Sequence, residues 1–238
     1  MRLRPTRPAP QVTRVTDFLP AAGRSTIVVI DPTLAHRPLL NSAERAQAER
    51  FHFTKDAEHW TACRSALRRV LGEALGIDPA TLSLEFGLQG KPQLPASYQS
   101  LHFNLSHCAD LALLALCQDG PVGIDLEPVD RATSLLGCES SFCHPEEIAT
   151  LPTAPDDRAR TLLDLWTAKE AALKALGTGL SIDPASFSLA GLENGSIDEP
   201  RLHAFRFHRP EHPILQHHVA CLAAPHGTAA PDFRILLP

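Results

Sequence analysis

Two long helical segments, residues 56–76 and 156–176, constrain this chain more than any other feature of it. In the first, Ala62, Ala66, Leu67, Val70, Leu71 and Leu75 recur at three- and four-residue spacings, which gathers apolar side chains on one helical face. Gly76 stops the first helix and Gly177 the second. Strand-like runs surround both. Residues 26–30 read as a buried strand, 42–50 as a short helix capped by Ser42, 82–86 as an alternating strand and 87–95 as a glycine turn. Residues 101–107, 111–117 and 122–129 follow as strands, with Asp119-Gly120-Pro121 as a turn. Residues 145–151 suit a short helix with proline in its first turn. Beyond the second long helix, residues 186–189, 202–208, 218–223 and 233–237 read as strands. Strand, helix and strands thus come in the same order twice. That order predicts an α+β fold of two similar halves related by a pseudo-twofold, each a small, mainly antiparallel sheet packed on one long helix. The division falls near Gly120, giving halves 1–120 and 121–238. Element order alone carries this, because the halves share no sequence repeat.

With 238 residues, 44% of them apolar and 21% charged, the chain has material for a real core. A net charge of -5 argues against a nucleic-acid partner. No apolar run approaches the ~20 residues of a membrane helix. The basic opening of the chain lacks the apolar stretch of a secretory signal. The six cysteines form no C-x-x-C pair, so the spacing indicates neither a zinc site nor a redox motif, and reduced thiols in a cytoplasm are the expectation.

Three motifs carry chemistry. In Val122-Gly-Ile-Asp-Leu-Glu127 a strand points Asp125 and Glu127 to one face and Ile124 and Leu126 to the other. Paired carboxylates repel unless a cation lies between them, and oxygen-only ligands suit Mg²⁺; a solvated acidic face is the alternative. In Leu165-Trp-Thr-Ala-Lys-Glu-Ala-Ala-Leu-Lys174 a helix puts Trp166, Glu170 and Lys174 on one face. Glu170 can add a third carboxylate and Lys174 can neutralise a phosphate; an exposed Glu170–Lys174 pair beside a core tryptophan is the plainer reading. In Phe103-Asn-Leu-Ser-His107, preceded by Gly90-Lys-Pro92, Ser106 and His107 can donate to a phosphate, and Lys91 is expected to stand out from the body on its turn; turn residues and a solvated lysine are the alternative.

In this order and spacing the motifs resemble the 4′-phosphopantetheinyl transferase superfamily, in its two-domain, monomeric, surfactin-synthetase-activating type. The resemblance covers roughly residues 44–190 and rests on G-I-D-x-E with W-x-x-K-E-x-x-x-K. It implies Mg²⁺ held by Asp125, Glu127 and Glu170, and coenzyme A as co-substrate. It also implies that a serine of an apo acyl or peptidyl carrier protein receives the phosphopantetheine arm. Glu170 or a metal-bound hydroxide would deprotonate that serine, and Lys174 would stabilise the leaving group. Coenzyme A would be bound by Lys55, Arg45, Arg64, Lys91, Ser106, His107 and Lys169, placing the nucleotide on the N-terminal half and the metal on the C-terminal half. Trp60 stands where the family often has a smaller or basic residue. Residues 142–147 lie on the family's carrier-docking side, with Phe142 expected to face a carrier helix and Arg131 to supply basic charge. Two other functions compete with this one: a Mg²⁺-dependent nucleotide pyrophosphate hydrolase and a non-catalytic carrier-binding protein.

Overall fold

The computed structural model describes residues 18–34, 38–190 and 200–237. Its elements run β1 (Ser25–Ile30), α1 (Ser42–Ala48), α2 (Thr54–Leu75), β2 (Glu85–Phe86), β3 (Pro92–Gln93), β4 (His102–His107), β5 (Ala112–Cys117), β6 (Gly123–Pro128), α3 (Pro145–Thr150), α4 (Pro155–Leu176), β7 (Phe205–His208), β8 (His218–Pro225) and β9 (Asp232–Ile235). The α+β architecture is that of two small sheets, each with one long helix. The first sheet has the order β4-β5-β1-β9 and the second β6-β8-β7, with β2 and β3 a separate ribbon. Pairing is antiparallel except between β1 and β9, where Thr26 lies opposite Asp232 in a parallel ladder.

The helices cover the sheets as their apolar periodicity demands. α2 sets Cys63, Ala66, Leu67, Val70 and Leu71 against Val28, Ile30, Phe103, Leu114 and Leu116. α4 sets Ala168, Ala171, Ala172 and Ala175 against Cys221, Ala223 and Phe205. A third cluster joins the halves: Ile27, Val29, Leu113 and Ala115 of the first sheet meet Val122, Ile124, Leu126 and Leu222 of the second. Strands β1 and β5 are therefore apolar on both faces, since each face meets a layer, and every one of their residues is buried. Burying each Leu or Ile here contributes about 1.5–3 kcal/mol.

One construction occurs in both halves. The glutamate of a capping box in a short helix reaches a basic side chain buried in the long helix. Glu44 of α1 caps with Asn41 and meets Arg68 Nε at 2.5 Å. Glu147 of α3 caps with His144 and meets Lys169 Nζ at 2.7 Å. Arg68 also donates to the carbonyls of Pro79 and Leu82, and Lys169 to those of Pro184 and Phe187. Both long helices close on a left-handed glycine, Gly76 (φ 67°) and Gly177 (φ 71°).

The structure departs from the sequence reading at several points. Asn41, not Ser42, caps α1, because its side chain accepts from Glu44 N. The strand expected over 82–86 shrinks to Glu85–Phe86, with Leu82 turned into the core. The strand expected over 186–189 is a 3-10 turn, Pro184–Ser186, held by the Asp183 side chain. The C-terminal strand does not stay in its half: β9 pairs with β1, Leu236 enters the core under α2, and Arg69 donates to Leu237 O. Residues 191–199 and residues 1–17 of the lead-in expected over 1–25 lie outside the described residues.

Candidate active site

Strands β4 and β6 approach each other without a main-chain ladder, and side chains bridge them. Asn104 Oδ1 accepts from Ile124 N at 2.8 Å, and Ser106 Oγ donates to Asp125 Oδ1 at 3.0 Å. Helix α4 lies directly over β6. A methyl group on Gly123 would come within 2.1 Å of Ala171 O and 2.3 Å of Ala175 N, so only glycine permits this approach. That contact delivers the helix face to the strand carboxylates. Lys174 Nζ meets Asp125 Oδ1 at 2.5 Å and Ser106 Oγ at 3.2 Å. One end of the face away, Trp166 Nε1 donates to Glu127 Oε1 at 3.0 Å, and Arg131 forms an ion pair with the same oxygen. Glu170 sits between them in the helical spacing. Its proton affinity is raised, first by burial, then by Asp125 and Glu127, against the opposing charges of Lys174 and Arg131. The three acids thus share one electrostatic neighbourhood.

The donor types are those of a hard-cation site, with Asp125 and Glu127 already paired to Lys174 and Arg131. Asp125 is buried, and its Oδ2 has no hydrogen-bond partner, a costly state for a carboxylate oxygen. All three donors are hard oxygens, the type that Mg²⁺ takes. The plain i,i+4 reading of Glu170 and Lys174 as a surface pair is replaced by a Lys174 that reaches across to Asp125.

Basic and imidazole groups line the N-terminal side. A cavity of about 180 Å³ is bounded by Trp60, Arg64, Leu67, Asn104 and His107 among others. The Arg64 guanidinium lies 5.2 Å over the Trp60 ring, with Nε 3.7 Å from Glu44 Oε1 and a buried Nη1 that has no partner. His107 ends β4 at the cleft surface. Its ring is held below the usual histidine pKa, chiefly by desolvation and then by His59 and Lys174, so it stays neutral at pH 7.

Other expected site residues fall elsewhere. Lys91 does not stand out from the body. Its ammonium donates to Val122 O at 3.0 Å and Lys174 O at 2.5 Å, so the Gly90-Lys-Pro92 turn clamps the start of β6 to the C-terminal end of α4. Burial, and secondarily Lys174, lowers its pKa to about 8. Lys169, expected to contact coenzyme A, is wholly buried with its ammonium on Glu147. Phe142 is buried edge-on to Trp166, centroids 5.3 Å apart, and so faces no partner. Lys55 is exposed at the start of α2, and Arg45, exposed on α1, donates to Leu40 O; neither lines the cavity. Sequence reasoning missed Asn104 as the bridge between strands, Arg131 as the partner of Glu127, and His59, whose Nε2 lies 3.1 Å from His107 Nδ1. The four-residue spacing of His59 and Cys63 was the available signal for the last.

Two acids on a strand, a third on the helix that covers it, and an arginine and a histidine across the cleft set an acidic wall against a basic one. Comparison with known proteins names the family. Residues 121–226 match the model of the 4′-phosphopantetheinyl transferase superfamily, and residues 33–119 that of the 4′-phosphopantetheinyl transferase N-terminal region. A 4′-phosphopantetheinyl transferase of Bacillus subtilis is 32% identical over 199 residues, 82% of this chain and 84% of its own. The 4′-phosphopantetheinyl transferase psf-1 of Bacillus pumilus is 33% identical over 166 residues, 67% of each chain. The 4′-phosphopantetheinyl transferase HetI of Nostoc is 37% identical over 145 residues, 60% of this chain; the match spans 61% of that relative's length. The chain belongs to the 4′-phosphopantetheinyl transferase superfamily.

Proposed function

We propose that this protein transfers the 4′-phosphopantetheine group of coenzyme A to a serine of an apo acyl or peptidyl carrier protein, releasing adenosine 3′,5′-bisphosphate. The observation that carries the reading is Lys174 of α4 on Asp125 of β6, with Asp125 Oδ2 left without a partner and Glu170 raised in proton affinity by burial and by the nearby charges of Asp125 and Glu127. In this reading Asp125, Glu127 and Glu170 hold Mg²⁺. When bound, that ion supplies charge neutralisation to a diphosphate whose P–O bond is breaking.

The chain's own groups account for the rest. The carrier serine Oγ forms a new bond to the phosphorus that bears the pantetheine, and the bond to the departing nucleotide phosphate breaks. Glu170, or a water held beside it, takes the serine proton. Lys174, with Ser106 holding it in place, offers its ammonium to the departing phosphate. Arg64 and His107 provide cationic or hydrogen-bonding contacts to the nucleotide phosphates, with Arg64 Nη1 unpartnered towards that task. Lys91 serves as the clamp that fixes β6 under α4 rather than as a ligand. The nucleotide is thus assigned to the N-terminal half and the metal to the C-terminal half. Both sides come from one chain, which suits a monomer. All six cysteines are free, as suits a reducing cytoplasm. No described helix is long and apolar enough to cross a membrane.

The test is incubation with coenzyme A, Mg²⁺ and an apo carrier protein, followed by intact-mass measurement. The expected result is a covalent phosphopantetheine increment on the carrier serine. Cleavage of coenzyme A with an unchanged carrier, or carrier binding with neither, contradicts the proposal.

A further inference from the structure

His59 and Cys63 lie one turn apart on α2, and His107 closes β4 beside them. His59 Nε2 is 3.1 Å from His107 Nδ1 and 3.7 Å from Cys63 Sγ, and the three ligand atoms all lie within 4.8 Å of one another. A tetrahedral ion with metal–nitrogen bonds of ~2.05 Å and a metal–sulfur bond of ~2.3 Å sets its nitrogens about 3.3 Å apart and each nitrogen about 3.6 Å from the sulfur. Two of the three edges therefore have the size found on one face of such a tetrahedron, and the third, His107 to Cys63, lies within 4.8 Å. The chemistry differs from that of the carboxylate set. Two imidazoles and a thiol suit Zn²⁺ and are poor ligands for Mg²⁺. We propose that His59, Cys63 and His107 form a Zn²⁺-binding site on the N-terminal wall of the cleft, separate from the acid site.

The helix supplies two ligands in fixed register, so little ordering remains when an ion arrives. On binding, the imidazole that donates in the His59–His107 hydrogen bond shifts its proton to its other ring nitrogen. The Cys63 thiol, its pKa pushed up to about 12 chiefly by burial, gives its proton to solvent only as the ion binds, and its charge then offsets part of the ion's. The charged and titratable groups facing the cluster are Lys55 and Asp56 for His59, Arg64 and Cys108 for Cys63, and Lys174 for His107. Three protein ligands leave a fourth position open, the pattern of a reactive or inhibitable site rather than a closed structural one. On the transferase reading, His107 is also a nucleotide contact, so Zn²⁺ and coenzyme A compete for it.

The experiment titrates the metal-stripped full chain with Co²⁺ and records the thiolate-to-cobalt absorption. One Co²⁺ per chain is expected, with a band that Zn²⁺ removes and excess Mg²⁺ does not. His59→Gln, on a half-buried helix turn, should weaken binding by more than the ~10–100-fold that follows loss of an outer partner of a metal ligand. Cys63→Ser should abolish the band. Because Cys63 packs in the core, His59→Gln decides the matter if Cys63→Ser does not fold. Absence of the band in the natural chain overturns the proposal, as does its survival in His59→Gln. So does its loss in Cys108→Ser and His218→Gln, which would move the ion to the neighbouring Cys108–Asp110–His218 group. A separate arm adds coenzyme A: weaker Co²⁺ binding is expected. A band that ignores coenzyme A leaves the metal site standing and contradicts only its sharing of His107 with the nucleotide.

Discussion

Helices α2 and α4 each span 22 residues, each ends on a left-handed glycine, and each buries one basic side chain against the capping glutamate of a short helix. They differ in what they turn towards the cleft. α2 presents His59 and Arg64 beside His107, a face without a carboxylate cluster. α4 presents Trp166, Glu170 and Lys174 to a strand that carries two acids. The same scaffold therefore turns two differently charged faces to the cleft, and charge within it serves two separable ends. Lys169 and Lys174 stand five positions apart on one helix, yet the first is sealed on Glu147 and the second opens on Asp125.

Breaking the acid side should have the largest effect. Asp125→Ala or Glu170→Ala is expected to lower transfer by ~10³-fold or more, the scale lost with a principal electrostatic stabiliser; Glu170→Ala should leave thermal unfolding unchanged or improved, whereas Asp125→Ala also strips Lys174 and Ser106 of their partner and should lower it. Arg64→Ala, on the other helix, should raise the KM for coenzyme A with a smaller change in kcat. An equal loss of kcat from both would erase the distinction between the two faces.

The shared scaffold gives the next effect. Glu44→Gln and Glu147→Gln should each destabilise by about 3–5 kcal/mol in denaturant titration, since each leaves a buried cation without its counter-charge. Similar losses at both sites would support one construction used twice, and a loss at only one would break the parallel. Gly123→Ala forces a methyl group into the main chain of α4 and should cost at least ~1–3 kcal/mol together with a loss of transfer.

The smallest effect concerns Lys91. Its pKa of about 8 in the fold lies below the ~10.4 of an unfolded lysine, so between these values the unfolded chain binds more protons. Its contribution to stability should rise with pH across that window. The natural chain should gain on Lys91→Met between pH 8 and about 10, and a gain as pH falls would contradict the assignment.

Much of this was legible in the sequence because it is periodic or locally signalled. The 3.6-residue pattern and glycine stops located both helices, and two-residue alternation put Asp125 and Glu127 on one face of a strand that α4 then covers. The four-residue spacing of Trp166, Glu170 and Lys174 gave the helix face that meets them. What was hidden depends on tertiary partners. Nothing local to Lys91 says that its ammonium will meet carbonyls 31 and 83 positions away. Lys169 and Lys174 look alike in sequence, and only the position of Glu147 separates them. The return of β9 to β1 is a long-range parallel pairing, for which a short apolar run at the chain's end carries no direction.

The central claim is that Asp125, Glu127 and Glu170 hold one Mg²⁺. Its most direct test is calorimetric titration of Mg²⁺ into the protein with coenzyme A present. One ion per chain should bind, and Glu170→Gln should weaken it by ~100-fold or more with the fold intact. Mg²⁺ bound as tightly by Glu170→Gln as by the natural chain would contradict the account.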